Sequence, residues 1–322
     1  MFGIKTVTIF GGTGFIGRYI VKEIAKLGVR VNVLTRHSHE SLYLKTAGSV
    51  GQVRLINGDI ANGEIVERLV KESDVVINAV GILFEKRKDD FYNNHTRFPE
   101  LLATLCSKYN IKKFIHISAL GIDKNTRSKY ACSKFQGEEI IKQEFPKAII
   151  LRPSIVFGVE DDFFNKFATL AKFSVFLPLI AGGKTKFQPV YVNDIAKAVR
   201  RLTVSESSCN GKLYELGGPD VYNFKELLEL TLEYSGKKRF LIKIPEFLAT
   251  IMAWFFERFP RPLITRDQLK ILKTNNVTQD GALTFFDLQV QPRTVEEIVP
   301  TYLNIHKSTC NYVAPSKEGV TS

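Results

Sequence analysis

Short β-branched runs alternate with amphipathic stretches through the first half of the chain. Between these runs, the spacing of apolar residues predicts helices at about 15–27, 64–71, 92–109 and 129–144. The strands are continuous apolar runs, which are typical of a parallel sheet covered by helices on both faces. The pattern therefore predicts an α/β fold built on a doubly wound parallel sheet of the Rossmann type. The runs are TVTIF, VRVNVLT, VRLING, DVVINAV, KKFIHIS and AIILRPSIVF.

The alternation weakens after about Gly158, and this change predicts a domain boundary. We assign residues 1–158 to a Rossmann domain, with a sheet that is completed by later segments near 188–218. Residues 159–322 are predicted to form a smaller mixed carboxy-terminal lobe with a polar tail from about His306. Within this lobe, residues 247–259 are predicted to be an apolar helix, and its apolar stripe favours a core helix over a docking surface.

The composition is that of a globular protein with an excess of positive charge. Hydrophobic residues make up 44% of the 322 residues and charged residues 24%, which excludes a disordered chain. No stretch has the roughly 18 apolar residues of a membrane-spanning helix. The net charge of +12 favours anionic partners, such as a phosphorylated cofactor or an acidic membrane surface. No aromatic and basic recognition motif accompanies this charge, so nucleic-acid binding is not predicted.

The cysteines and the amino terminus bear on the cellular compartment. The four cysteines are far apart and form no CxxC pair, so neither a disulfide framework nor a metal site is predicted. The chain passes from Met1 almost directly into a strand, which leaves no room for a signal peptide. We therefore expect a cytoplasmic protein, with peripheral attachment to the cytoplasmic face of the inner membrane as the extension of that expectation. The cysteines are Cys106, Cys132, Cys209 and Cys310.

The stretch TIFGGTGFIG, residues 8–17, places a glycine-rich loop between a strand and a helix. Gly11 permits a tight turn, Gly14 lets backbone amides approach a diphosphate, and Gly17 lets the helix pack close to the sheet. The helix amino terminus adds unpaired N–H donors and partial positive charge at the same place. The loop therefore predicts a dinucleotide site with contacts from Gly11, Thr13, Gly14, Phe15, Ile16 and Gly17.

The end of the second strand bears on the choice of dinucleotide. NAD-binding proteins of this fold carry an acidic residue there, which binds the ribose 2′-hydroxyl. This chain has Arg36 instead, and a guanidinium pairs bidentately with a 2′-phosphate, while no carboxylate stands at this strand end to repel that phosphate. NADP(H) is therefore predicted over NAD(H), with a solvated surface arginine as the alternative interpretation.

Two further strand ends are candidates for cofactor contacts. Asp59 and Ile60 follow the third strand, where the carboxylate would accept the adenine amino group and the aliphatic chain would cover the ring. Ala79, Val80 and Gly81 follow the fourth strand, where small residues would let a ribose approach. Turn punctuation without a ligand is the alternative for both.

These motifs, with Tyr130-x-x-x-Lys134, LRPSIVFG and QPVYVNDIA, together resemble the extended or atypical short-chain dehydrogenase/reductase superfamily. The resemblance covers nearly the whole chain. Within the superfamily, FPKAIILRPSIVFGVEDDFFNKFA and LTFFDLQVQPRTVEEIVPTYL are most similar to the nucleotide-binding accessory subunits of respiratory complex I and to their bacterial relatives. The resemblance implies a Rossmann fold, a nicotinamide cofactor and respiratory subunits as partners.

The resemblance also implies roles for individual residues. Tyr130 matches the general acid or base, and Lys134, one helical turn later, matches the residue that contacts the nicotinamide ribose. The alternative is that Tyr130 and Lys134 only hold the ribose of a permanently bound cofactor. The hydroxyl that binds the substrate oxygen in the family falls at Ala119 here, with Ser118 next to it. Thr126 and Ser128 are alternative sources of that hydroxyl. Pro153 matches the position whose backbone meets the nicotinamide, while Arg152, Gln188 and Asp194 match residues that join the two lobes.

Two functions from different classes follow. The first is a structural or assembly subunit of an NADH:quinone oxidoreductase, in which NADP(H) stabilises the fold without turnover. The second is a free-standing NADP-dependent reductase, or an epimerase or dehydratase, acting on a sugar nucleotide or a quinone-like substrate. The alanine at position 119 counts against the second function, because the catalytic triad would lack its hydroxyl.

Overall fold

A computed structural model describes residues 3–123, 126–205, 207–259 and 262–303. Its strands are β1 (Thr6–Phe10), β2 (Arg30–Thr35), β3 (Val53–Asn57), β4 (Val75–Asn78), β5 (Lys113–Ile117), β6 (Ile149–Pro153), β7 (Val156–Phe157), β8 (Phe176–Leu179), β9 (Lys186–Phe187), β10 (Val190–Tyr191), β11 (Leu213–Leu216), β12 (Tyr222–Asn223) and β13 (Phe240–Lys243). Its helices are α1 (Phe15–Ala25), α2 (Gly63–Lys71), α3 (Asp90–Tyr92), α4 (Phe98–Lys108), α5 (Lys129–Glu144), α6 (Phe164–Phe173), α7 (Val192–Val204), α8 (Phe224–Ser235), α9 (Glu246–Phe256), α10 (Arg266–Ile271) and α11 (Val295–Leu303). The predicted polar tail from His306 lies outside the described residues.

The central sheet has seven strands in the order β11-β6-β5-β4-β1-β2-β3. Every neighbouring pair in it is parallel. The order reverses direction next to β1, which creates a crevice outside the carboxyl ends of β1 and β4. The prediction of a doubly wound Rossmann sheet is confirmed. The predicted helix at 92–109 contains a π-helical turn, Asn93–Arg97, which joins α3 to α4 and which the periodicity did not indicate.

Alternate residues of the strands pack against two different helical layers. On one face, β1 residues Val7 and Ile9 lie in a core that α1 and α7 cover. On the other face, the next residue, Phe10, packs with α2, α4 and α5. This alternation follows from the two-residue side-chain period of a strand, and it gives a three-layer sandwich with the sheet buried on both sides.

The second unit has a phenylalanine-rich core of its own. Phe163 contacts Phe164, Phe167 and Phe224 edge to face, with ring centroids between 5.1 and 6.0 Å apart. Helices α6, α8 and α11 surround this core. Three carboxy-proximal residues return to the first unit instead: Leu283 forms a bridge to Tyr214 of β11, and Phe285 and Leu288 join the core of the central sheet.

The prediction that the 247–259 helix belongs to the core is wrong. Helix α9 turns its small residues inward, because Ala249 and Ala253 are buried. Its large apolar residues face outward, and Phe247 and Ile251 are 64% and 58% exposed. The apolar stripe was found correctly, but two alanines on the other side of the helix supply the contact with the protein.

A buried ion pair joins α5 to the sheet. The Arg152 guanidinium binds both oxygens of Glu138, with Nε–Oε1 and Nη2–Oε2 distances of 3.0 and 2.7 Å, and lies 3.8 Å from Glu215 on β11. Both partners belong to the first unit, so Arg152 fixes α5 within that unit and does not join the two lobes. Gln188 and Asp194 do reach later segments, since Gln188 binds Thr278 and Asp194 accepts from the Arg293 amide.

We predict that Arg152→Met lowers the free energy of unfolding by about 3–5 kcal/mol, because it leaves the Glu138 and Glu215 carboxylates buried without their cation. Chemical denaturation followed by circular dichroism measures the change. The matched control is Lys142→Met, which removes the exposed pair with Glu139 and is expected to cost at most about 1 kcal/mol. A cost for Arg152→Met as small as that of the control would contradict the assignment.

Candidate functional site

The glycine loop between β1 and α1 depends on backbone contacts that exclude side chains. Gly11 has φ +78°, and a Cβ there would lie 2.6 Å from the backbone of Ala79 at the exit of β4. A Cβ on Gly17 would lie 2.0 Å from the Gly11 carbonyl oxygen. The loop, the first turn of α1 and the end of β4 are therefore held at distances that only glycine permits.

The amino terminus of α1 is arranged to receive an anion. Gly14 is its N-cap, with no side chain to bind the first-turn amides, and the turn contains no acidic residue. Gly14 is exposed, while Thr13, Phe15 and Ile16 are half-buried beside it. The uncapped amides and the helix dipole both favour a phosphate at this end. The residues present therefore fit the diphosphate of a dinucleotide.

Two side chains that the sequence did not single out lie next to this loop. Arg18 Nη2 and the Tyr43 hydroxyl each lie 3.4 Å from the Thr13 carbonyl oxygen, and the guanidinium is 5.5 Å from the Tyr43 ring centroid. Arg18 also pairs with Glu160 at 3.2 Å. A positively charged group thus lies beside the loop, and only the fold brings Tyr43 and Glu160 to it.

Arg36 and Asp59 face each other across the ends of β2 and β3. The Arg36 Nε atom lies 4.0 Å from Asp59 Oδ2, and both side chains are largely exposed, at 72% and 47%. The end of β2 itself carries no carboxylate, but the fold brings Asp59 next to Arg36 from the neighbouring strand. Asp59 Oδ1 accepts from the Ala61 amide at 2.9 Å, which orients the carboxylate. Ile60, the residue between Asp59 and Ala61 in the sequence, is half-buried.

The exit of β4 forms the floor between the loop and α5. Ala79 donates its amide to the Phe10 carbonyl at 2.8 Å, and the Val80 amide binds Asn78 Oδ1 at 3.0 Å. A Cβ on Gly81 would lie 3.4 Å from the Lys134 Nζ atom. Ala79, Val80 and Gly81 thus connect the phosphate loop to the ammonium group on α5.

Tyr130 and Lys134 occupy one face at the start of α5. Burial lowers the pKa of Lys134 to about 8, against the opposing effect of the Glu138 carboxylate. The Lys134 Nζ atom donates to the Ile117 carbonyl at 3.1 Å. Burial raises the pKa of Tyr130 to about 12, so the phenol is protonated at neutral pH. Tyr130 can therefore donate a proton, and Lys134 supplies a positive charge near it.

His95, which the sequence analysis did not identify, packs between these groups. The Ile82 amide donates to its Nε2 atom at 3.1 Å, so its Nδ1 atom carries the proton and donates to the Ser133 hydroxyl at 3.0 Å. Its ring stands edge-on to Tyr130, with centroids 5.3 Å apart. Burial and the Lys134 charge lower the pKa of His95 to about 2, so it is neutral. No periodic pattern indicated this residue, because it lies in the π-helical turn.

The structure places the candidate hydroxyls in different surroundings. Ser118 follows β5, and its buried Oγ atom has no hydrogen-bond partner among the residues that the structure describes. Ala119 is half-buried beside it. Thr126 Oγ1 accepts from the Ser128 amide at 3.3 Å, and the Ser128 hydroxyl caps α5 at the Ala131 amide. The two loop hydroxyls are therefore engaged in local structure, and Ser118 keeps an unpaired one.

A histidine in the strand is packed beneath this site. His116 is fully buried on β5, and its Nδ1 atom accepts from the side-chain Nδ2 of Asn78 at 3.1 Å. Burial holds its pKa well below the usual value. It therefore serves as a neutral part of the sheet core. Among the described residues there is no cluster of side chains that would hold a metal ion.

The end of β6 is fixed by Asn276. Pro153 is buried, and its carbonyl accepts from the Leu120 amide at 2.9 Å. Asn276 Oδ1 binds the Ser154 hydroxyl at 2.6 Å and the Ile155 amide at 3.0 Å, while its Nδ2 donates to the Leu120 carbonyl at 2.8 Å. One distant amide therefore shapes the loop at which Pro153 ends.

The start of α5 is capped by a carboxylate from the second unit. Asp267, on α10, accepts from the Ser128 hydroxyl at 2.7 Å, the Lys129 amide at 2.8 Å and the Tyr130 amide at 3.0 Å. A carboxylate at this position also complements the helix dipole. Thr265 and Gln268 form a capping box at the start of α10, and the sequence analysis identified neither this helix nor the role of its aspartate.

The predicted site residues therefore meet along one edge of the sheet. Gly11, Arg36, Asp59, Ala79, Ser118 and Pro153 lie at the carboxyl ends of successive parallel strands, and Tyr130 and Lys134 approach the same edge from α5. A doubly wound sheet with this loop and this Tyr–Lys helix defines a nucleotide-binding protein of the extended short-chain dehydrogenase/reductase class.

Comparisons with known proteins agree with this class. The model of the NAD dependent epimerase/dehydratase family matches residues 7–217, and the chain belongs to that family. The chain is 36% identical over 296 residues to NADH dehydrogenase [ubiquinone] 1 alpha subcomplex subunit 9, mitochondrial, of Arabidopsis thaliana, a match that covers 88% of this chain and 74% of the relative.

A bacterial relative and a solved structure extend the comparison. The ceramide reductase of Caulobacter vibrioides is 27% identical over 242 residues, which covers 74% of each protein. The dTDP-glucose 4,6-dehydratase of Bacillus anthracis, solved in complex with NAD, has a TM-score of 0.66 at 18% identity, covering 94% of this chain and 96% of the other. At this identity the second likeness shows the fold alone.

We predict that Asp267→Ala lowers the free energy of unfolding by about 1–2 kcal/mol, because α5 loses its carboxylate cap. Hydrogen exchange at the Lys129 and Tyr130 amides should accelerate, which separates this effect from a general loss of stability. The control is Asp280→Ala, an exposed aspartate that should change neither quantity. Unchanged exchange at both amides in Asp267→Ala would refute the capping role.

Proposed function

We propose that the chain is an NADP(H)-holding structural or assembly subunit of an NADH:quinone oxidoreductase, attached peripherally at the membrane. The observation that carries the proposal is the 36% identity, over 88% of the chain, to a protein named as a subunit of NADH dehydrogenase. The cytoplasmic face of the membrane is the predicted location in a bacterial cell.

The site supports a role in which the cofactor is held. The phosphate loop and the Lys134 ammonium are present, whereas the family's substrate hydroxyl is replaced by Ala119. A dinucleotide that binds only the folded chain stabilises the fold. At a concentration a thousandfold above the dissociation constant, it would raise the free energy of unfolding by about 4 kcal/mol. The chain's own part is to bind and orient the cofactor across β1, β4 and α5.

The test is recovery of the chain with the oxidoreductase. A tagged chain expressed in its native cells should retrieve NADH:quinone oxidoreductase subunits from detergent-solubilised membranes. Cells that lack the chain should contain less of the assembled enzyme. A chain that purifies alone from membranes, together with normal enzyme levels in its absence, would overturn the proposal.

We predict that Arg36→Gln weakens NADPH binding about 10–100-fold and leaves NADH binding within about twofold. The guanidinium would make charge-assisted hydrogen bonds only to the 2′-phosphate, each worth about 1.5–3 kcal/mol. Its exposed side chain is able to leave Asp59 for that phosphate. Isothermal titration with each coenzyme, on chain stripped of bound nucleotide, measures the two affinities.

The matched control for this prediction is Arg30→Gln. Arg30 is exposed at the opposite end of the same strand, β2, so it lies away from the carboxyl edge. Its replacement should change neither affinity. Equal losses of NADPH and NADH binding in Arg36→Gln would refute the assignment of Arg36 to the 2′-phosphate.

A reductase is the second candidate function, and a specific observation favours it. Tyr130 is held protonated beside the Lys134 ammonium, and the Ser118 hydroxyl is unpaired among the described residues. The ceramide reductase relative acts, by its name, on a lipid. In this function Tyr130 would donate a proton to a carbonyl oxygen as the coenzyme donates its hydride.

Tyr130→Phe separates the two functions. For the structural subunit we predict that this variant assembles normally and loses less coenzyme affinity than Lys134→Met, because the phenol contributes at most one neutral hydrogen bond to the ribose. Lys134→Met is the contrasting variant and should lose about tenfold in coenzyme affinity, since it removes a charged donor to the ribose. Fluorescence of coenzyme released on denaturation measures retention. A loss of at least about 100-fold in any hydride-transfer activity of Tyr130→Phe would instead establish the reductase.

A further inference from the structure

Helix α9 is packed with its small residues inside and its large ones outside. Only Ala249 and Ala253 of this eleven-residue helix are buried. Core helices normally bury their large apolar residues, because these contribute most to the hydrophobic effect. The outward face instead carries Phe247, Leu248, Ile251, Trp254 and Phe255, each between 43% and 64% exposed.

A two-stranded ribbon extends this apolar face. Strand β13 pairs with β8 in parallel, with Phe240 opposite Phe176 and Ile242 opposite Pro178. Phe240 is 73% exposed and Ile242 46%, while Leu241 between them packs against the core of the second unit. The ribbon leads into α9 within two residues, so outward apolar side chains continue from Phe240 to Phe259.

Positive charge is concentrated around the same segment. The described residues 237–259 and 262–273 contain eight Lys and Arg against three Asp and Glu, an excess of five positive charges. Each of the three carboxylates is already engaged. Glu246 pairs with Lys273, Glu257 pairs with Arg266, and Asp267 caps α5.

Three of the remaining cations, Lys238, Lys243 and Arg258, are exposed in the same segment as the apolar side chains. Lys238 lies two residues before β13 and Lys243 is its last residue; both are exposed and form no ion pair within the described part of the chain. The Arg258 guanidinium lies 3.4 Å from the centroid of the exposed Trp254 ring. Cations next to exposed aromatic and aliphatic side chains are typical of segments that lie in a membrane interface.

We propose that residues 237–259 and 262–273 form a docking surface for a bilayer that contains anionic phospholipids. The outward side chains of α9 and the ribbon enter the boundary between headgroups and acyl chains, and the surrounding Lys and Arg bind the lipid phosphates. This surface would provide the peripheral membrane attachment that is part of the proposed function. The inference rests on the proposed function only in that respect.

The geometry indicates that the chain lies on the bilayer and does not cross it. Helix α9 is about 16 Å long at 1.5 Å per residue, roughly half the thickness of the hydrocarbon core. None of the helices in the described ranges is long and apolar enough to span a membrane. The excess of cations favours an anionic lipid surface over a second copy of this chain, which would present the same positive charge.

Co-sedimentation of the purified full-length chain with vesicles tests this proposal without any respiratory subunit. Vesicles of phosphatidylglycerol mixed with phosphatidylcholine should bind the chain at least about tenfold more tightly than vesicles of phosphatidylcholine alone. Added salt should weaken the binding, because it screens the lipid charge. Trp254 fluorescence should shift to shorter wavelength in bound protein, as it is the one tryptophan in the chain.

Two double variants separate the apolar and the charged contributions. Phe247→Ser with Ile251→Ser removes apolar contact and should weaken binding at least about tenfold. Its control is Phe286→Ser, an exposed phenylalanine outside the surface. Lys238→Gln with Lys243→Gln should weaken binding about 30-fold, at roughly 1 kcal/mol of lipid attraction for each of the two charges. Its control is Lys45→Gln with Lys147→Gln, two exposed lysines elsewhere.

Each outcome decides for or against the surface. Loss of binding in both surface variants, with folded protein by circular dichroism and unchanged binding in both controls, supports it. Absence of binding to anionic vesicles overturns it, as does equal binding to neutral vesicles. Self-association by sedimentation velocity that the Phe247 and Ile251 variant abolishes, without vesicle binding, would assign the surface to a second copy. Co-purification with the oxidoreductase that fails while vesicle binding persists would overturn the proposed function and leave this surface standing.

Discussion

The close packing of bare backbone at the exit of β1 is the contact on which the rest of the site depends. The Gly17 Cα faces the Gly11 carbonyl, and Gly11 in turn faces the backbone of Ala79. No side chain fits in either gap, so α1 begins directly against the sheet. That position aims its first-turn amides across the crevice and sets how far the phosphate loop lies from Gly81 and Lys134. A cofactor that spans these groups depends on both of these backbone contacts.

The site belongs to both units of the chain, although the sheet alone supplies the crevice. Asp267 caps the helix that carries Tyr130 and Lys134, and Asn276 holds the loops that follow β5 and β6. Both residues are more than a hundred positions away from the groups they bind. Any movement of the second unit therefore acts on the orientation of α5. This coupling suits a subunit in which bound nucleotide and a docked surface stabilise one arrangement.

The apolar face of α9 is explained by association and not by folding. Exposed phenylalanines and a tryptophan contribute little to the stability of the isolated chain, because folding does not remove them from water. Their cost in solubility is offset by the surrounding Lys and Arg. The same balance of apolar and cationic groups would fit the boundary of an anionic bilayer, where the rings leave water and the charges remain hydrated.

The sequence by itself determined the elements and their order, because strand and helix periods are local properties of the chain. It therefore predicted the Rossmann sheet, the limits of α5 and the glycine loop. It missed the approach of Asp59 to Arg36, the packing of His95 against Tyr130 and the cap that Asp267 forms on α5, because those contacts join segments from different parts of the chain. It also misjudged α9, since hydrophobic periodicity finds an apolar stripe but not the side from which water is excluded. Only tertiary packing decides that, because burial depends on what the rest of the chain places against each face.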